Sequence, residues 1–74
     1  MNKSILEFAV KQEIGGLTDI PLRSLKLREG VLIACIVHKD KFIIPGGNDC
    51  VSVGDTVIVV ATEGQIKEIK DILK

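Results

Sequence analysis

Cys35 and His38 are a thiol and an imidazole three residues apart, the side chains of this sequence best suited to covalent chemistry. A thiol nucleophile needs its base within hydrogen-bond reach. Both lie in the run VLIACIVH, which is too short for an ordinary helix and reads as a strand. On a strand, residues i and i+3 point to opposite faces, so the two groups cannot meet. Cys35 among Ile and Val reads as an inert packed thiol, and His38, beside Lys39, as a solvated residue at a turn. Cys50 has no adjacent base or cation, and Glu7, Glu13, Asp19, Glu29, Asp40, Asp49 and Asp55 show no paired spacing for acid–base work. No catalytic residue is assigned, and the chain reads as non-enzymatic.

The segment PGGNDC (45–50) invites a phosphate-binding reading. It lacks the Lys and Ser/Thr of a Walker loop, and its glycines do not lead into a helix as a dinucleotide fingerprint requires. Turn chemistry accounts for it: Gly46 and Gly47 are expected at positive φ after Pro45, with Asn48 and Asp49 bonding back to nearby backbone. In VGDTV, Gly54 reads as a tight turn and Asp55 as an acceptor of backbone N–H groups. Asp49 and Asp55 lack the further oxygen ligands a hard cation needs, so no metal or cofactor is assigned.

Seventy-four residues make one domain, 1–74, small enough that a self-contained core is marginal. The composition is 46% hydrophobic but only 3% aromatic, an Ile/Val/Leu-rich mixture suited to β-structure. Ten basic residues balance ten acidic ones, and Trp and Tyr are absent, which removes the electrostatic and stacking signatures of nucleic-acid binding. The longest apolar run, Val31 to Val37, is far short of a membrane span, and the first ten residues carry no signal-peptide pattern. The expectation is a cytoplasmic chain with reduced thiols and no direct membrane insertion.

The elements that must position these residues follow from periodicity. Ser4 to Val10 reads as a strand with Leu6, Phe8 and Val10 on one face and Glu7 on the other. Gly15-Gly16 breaks it, and TDIPLRSL reads as a short helix capped by Thr18 or Asp19, closed by Gly30. Val31–Val37 and Phe42–Ile44 flank the polar turn HKDK as a hairpin, and Thr56–Ala61 forms a further strand. TEGQIKEIKDILK reads as the clearest helix. Thr62 and Gln65 have capping-box spacing, Glu63 precedes Lys67 by four, and Ile66, Ile69, Ile72 and Leu73 form a stripe. The fold class is α+β: a small, mainly antiparallel sheet with one short helix and a C-terminal helix, in the order β-α-β-β-β-α.

VLIACIV and TVIVVA are apolar on both faces, whereas a half-solvated strand alternates. Two helices cannot cover both faces of the sheet, so one face is expected to meet a second copy. Strict alternation splits the first strand into Val31, Ile33, Cys35 and Val37 against Leu32, Ala34, Ile36 and His38. The second set, with a small Ala and a titratable His, is the expected homodimer interface.

The segment from Leu25 to Ile69, LKLREGVLIACIVHKDKFIIPGGNDCVSVGDTVIVVATEGQIKEI, resembles the TrkA C-terminal (RCK C-terminal) regulatory domain. The ordered features are a hydrophobic strand, a basic turn, a strand ending in Ile44-Pro45, a polar loop, and Gly54-Asp55 before a Val-rich strand, with IGGLTDIPLRSLKL upstream as the leading helix. The resemblance implies a dimeric cytosolic regulatory module of a potassium channel, potassium uptake system or cation/proton antiporter, fused to or assembled on the membrane subunit. A transporter partner would hold it at the inner face of the membrane. The resemblance also implies a small nucleotide effector at the dimer interface, with Leu27, Arg28, Ile44 and Pro45 as the matching ligand-binding positions. Leu32 stands where cyclic di-AMP-binding members carry an asparagine, which argues against that ligand. The alternative is a ligand-free homodimerisation domain of a larger transporter-associated protein.

Overall fold

The computed structural model describes residues 3–62 and 66–74. Four strands, β1 (Ser4–Ala9), β2 (Val31–His38), β3 (Lys41–Ile43) and β4 (Thr56–Ala61), form one antiparallel sheet in the order β1-β4-β2-β3. The β2–β3 hairpin is closed by Lys39 and Asp40, both at positive φ, the conformation that matches a two-residue turn to the twist of its strands. His38 and Lys41, expected within the turn, are paired across the ladder instead.

Partners directly opposite in the ladder share a face, so the register sorts the sheet's side chains. Val57, Val59 and Ala61 of β4 are buried. Leu6 and Phe8 of β1, Val31, Ile33 and Ile36 of β2, and Ile43 of β3 share their side. This face carries the core, whose fully buried members include Leu17, Ile36, Val51, Val57, Val59 and Ile72.

The layer covering that face is made of turns and extended loop rather than long helices. The segment TDIPLRSL contains only a 3-10 turn, Leu22–Ser24, and neither Thr18 nor Asp19 caps it. Thr18 Oγ1 instead accepts from Ile14 N–H and lies 3.2 Å from Ile14 O, while Asp19 takes a positive φ and accepts from Ser52 Oγ. The loop 45–53 is pinned to this segment by Asp19 N–H to Val51 O, Leu22 N–H to Asp49 O and Arg23 N–H to Gly47 O.

The expected C-terminal α-helix is absent from the described residues. Its described part contains a four-residue 3-10 turn, Ile69–Ile72, capped by reciprocal bonds between Glu68 and Asp71. The expected Thr62–Gln65 box and Glu63–Lys67 pair each include a residue outside those described. A helix of this length is marginal alone, and Gly64 weakens it further. The chain end instead pairs with an extended segment, through Arg28 N–H to Ile72 O, Lys74 N–H to Lys26 O, and a Leu27–Leu73 bridge. Ile69 and Ile72 are buried, and Ile66 and Leu73 pack beside them. A spacing of three serves a 3-10 turn as well as an α-helix, so the apolar stripe survives the change of element.

Candidate ligand hollow and interaction face

Val37 pairs with Thr56, and the next step of that register brings His38 opposite Asp55. The imidazole is half-exposed but partnered: its Nδ1 lies 2.5 Å from Asp55 Oδ1 and donates to it. Asp55 is 3% exposed, and its Oδ2 accepts Ser52 N–H at 2.9 Å, the backbone bond expected of it. Together with Gly54 at φ +98, this carboxylate fixes the entry into β4. The pair holds down one end of β2, and with the Ser52 N–H on the other oxygen it leaves neither Asp55 oxygen without a partner, which makes it structural.

Cys35 is buried and a free thiol, on the sheet face opposite His38. Among the described residues, no three metal-ligating side chains converge. Gly46 and Gly47 lack the expected positive φ, which falls at Gly16, Gly30 and Gly54. Asp49 does bond back, accepting Gly46 N–H through Oδ2 at 2.7 Å.

The expected ligand-binding residues separate. Leu27 and Pro45 line one open hollow of about 250 Å³ together with Leu22, Arg23, Leu32, Ile33, Gly46 and Gly47. Arg28 faces away from it, its Nη1 donating to Asp71 O at 3.1 Å, because the chain end packs alongside. Ile44 is 82% exposed beyond the end of β3 and does not line the hollow. The basic residue among those lining the hollow is Arg23, which the sequence reading missed. Its backbone is fixed by the Gly47 carbonyl, and the missing side chain of Gly47 leaves room for it: a Cβ there would sit 3.3 Å from Arg23 Cβ. The readable signal was a basic residue placed by Pro21 just inside the short turn. The site can hold a small ligand with an apolar body against Leu27, Leu32 and Pro45 and an anionic group at the guanidinium.

The expected interface set also separates, for a single reason. The β2–β4 ladder runs in step to Ile33–Val59, then resumes at Cys35–Ile58, so Ala34 is the extra residue of a β-bulge. A one-residue insertion flips every later side chain to the other face. Leu32 stays on the uncovered face, but Ile36, only 1% exposed, and His38 turn to the covered one. Cys35 and Val37 take their places beside Leu32.

That uncovered face is strongly apolar. It carries Ile5 on β1, Ile58 and Val60 on β4, Leu32, Cys35 and Val37 on β2, and Phe42 on β3. Ile5, Leu32 and Phe42 are 75%, 61% and 75% exposed. Burying each would contribute about 1.5–3 kcal/mol. Leu32 belongs both to this face and to the wall of the Arg23 hollow, so the two features adjoin.

The family described as "TrkA-C domain" matches residues 15–74. A "Trk system potassium uptake protein TrkA homolog 2" of Methanosarcina mazei is 32% identical over 54 residues, which is 73% of this chain but 12% of that protein. A solved structure named "Structure of RCK domain with cda" superposes with a TM-score of 0.68 at 22% identity, covering 81% of this chain and 83% of that one. The last likeness is one of fold.

Proposed function

The chain belongs to the TrkA-C domain family, and from that premise we propose that it is a non-enzymatic regulatory module of a potassium or other cation transport system. Two copies pack through the uncovered sheet face, and a small anionic effector is read at the adjoining hollow. The module works on the cytoplasmic side, joined to or assembled on a membrane subunit. The observation that carries this reading is the position of Leu32, shared by the apolar face and the Arg23 hollow. A ligand there touches the surface that a second copy covers, so binding and dimer geometry are linked. Regulation follows if the ligand has different affinities for two dimer arrangements, since a ligand shifts an equilibrium only by that difference.

A second reading, a ligand-free assembly domain, is favoured by Leu32 in place of the expected asparagine and by Arg28 being turned to the Asp71 carbonyl. A thermal-shift screen of nucleotides, cyclic dinucleotides and inorganic ions separates the two. A true ligand at a hundred times its Kd adds about 2.7 kcal/mol of apparent stability. Silence across the screen, with dimerisation intact, leaves the assembly reading standing and removes the effector.

A further inference from the structure

β1 is the long open edge of the sheet. Among the described residues its one strand neighbour is β4, so the other side of Ser4–Ala9 pairs with no strand there. The opposite edge, β3, is protected by being three residues long, flanked by Lys39 and Asp40 on one side and Pro45 on the other. β1 has six residues and no proline or glycine. By alternation Lys3, Ile5, Glu7 and Ala9 point to the uncovered face, and all four are exposed. Lys3 and Glu7 are about 13 Å apart along the extended chain and cannot pair with each other. Glu7 faces Ile58 across the ladder, and neither charge belongs to the ion pairs found among the described residues.

We propose that β1 pairs antiparallel with β1 of a second copy about a two-fold axis through Ile5, setting Lys3 of each chain opposite Glu7 of the other. Antiparallel partners share a face, so a two-fold axis can pass only through a residue with its like opposite. Through Glu7, two carboxylates would stand face to face, which destabilises a sheet. Through Leu6, Glu7 would oppose Ile5, and Lys3 would oppose Ala9, leaving both charges unmatched. Centred on Ile5, both charge pairs form and the two Ile5 side chains meet between them. The axis is perpendicular to the sheet, so both uncovered apolar faces end on the same side of one continuous eight-stranded sheet. This contact is separate from the face packing proposed above, since Phe42 lies on the far edge of the sheet from β1.

Sedimentation equilibrium tests the edge contact on a Phe42→Glu chain, in which face packing is removed, with circular dichroism confirming each fold. That chain is expected to remain a dimer. Adding Lys3→Glu or Glu7→Lys should weaken its association by roughly tenfold or more, because two attractive cross-strand pairs become repulsive. Combining the two changes restores complementary charges and should restore the dimer. A monomeric Phe42→Glu chain, single changes without effect, or a double swap no tighter than the singles each overturn the proposal. Failure of the face packing itself has a different signature: Phe42→Glu would leave the mass of the unmodified chain unchanged.

Discussion

His38 Nδ1 and Asp55 Oδ1 stand 2.5 Å apart, joining the last residue of β2 to the residue that precedes β4. Asp55 is almost wholly buried, so this bond and the one from Ser52 N–H are what hold its carboxylate out of water. Losing the carboxylate leaves both donors without their charged acceptor. Asp55→Ala should therefore destabilise the fold by about 2–3 kcal/mol in urea titration. Ser52→Ala keeps the N–H and loses only the exposed Ser52 Oγ–Asp19 Oδ1 bond, so it should cost about 0.5–1 kcal/mol.

Two glycines with equal space around them should respond oppositely to a methyl group. A Cβ at Gly15 or at Gly54 would meet nothing within 4 Å, but Gly54 has φ +98 and Gly15 is not in that region. Gly54→Ala should cost about 1–2 kcal/mol through backbone strain alone. Gly15→Ala should stabilise by about 0.4–1 kcal/mol, because it narrows the unfolded ensemble. Thermal unfolding of the two variants side by side measures the difference.

The Asp71 carboxylate predicts a local response to acid. Glu68 N–H and then Lys67 N–H donate to it, with Lys70 and Arg28 nearby, and these hold its pKa below the ordinary value of 3.8. A lowered folded-state pKa means that the carboxylate's contribution is present above the ordinary value and is lost as pH falls through the lowered one. Amide exchange at Lys67 and Glu68 should quicken as the pH drops below the ordinary value, after correction for intrinsic rates. Asp71→Asn should show the weaker protection already at neutral pH, with no acid step.

Strand positions were legible because apolar runs bounded by Gly, Pro and polar turns have few other readings. The faces of β2 were not. Nothing in VLIACIV marks Ala34 as an extra residue, and its bulge moved Ile36 and His38 from the expected interface to the covered side. The C-terminal segment misled for another reason: Ile69 and Ile72 are spaced for either kind of helical turn, and pairing with 26–28 decided between them. At the hollow, Leu27 and Pro45 share one wall, while Arg28 turns to the Asp71 carbonyl. Which of two neighbouring arginines faces a site depends on where the chain end packs, a long-range contact with no local signal.

Arg23 and Arg28 should consequently separate in binding. For any anionic ligand that raises the melting temperature, Arg23→Ala should abolish most of the shift. Arg28→Ala should lower the melting temperature of the free chain but keep the ligand-induced increment. A charge-assisted hydrogen bond contributes about 1.5–3 kcal/mol, so the loss at Arg23 corresponds to roughly ten- to a hundredfold in affinity.

Assembly through the uncovered apolar face is tested by sedimentation equilibrium of the unmodified chain beside a Leu32→Glu/Phe42→Glu chain. Both residues are exposed, so the substitutions leave the core of each chain untouched. The unmodified chain should sediment as an assembly of two or more 8.0 kDa units at micromolar concentration, and the doubly substituted chain as a smaller one. A strict 8.0 kDa monomer, or the same mass for both chains, would contradict it.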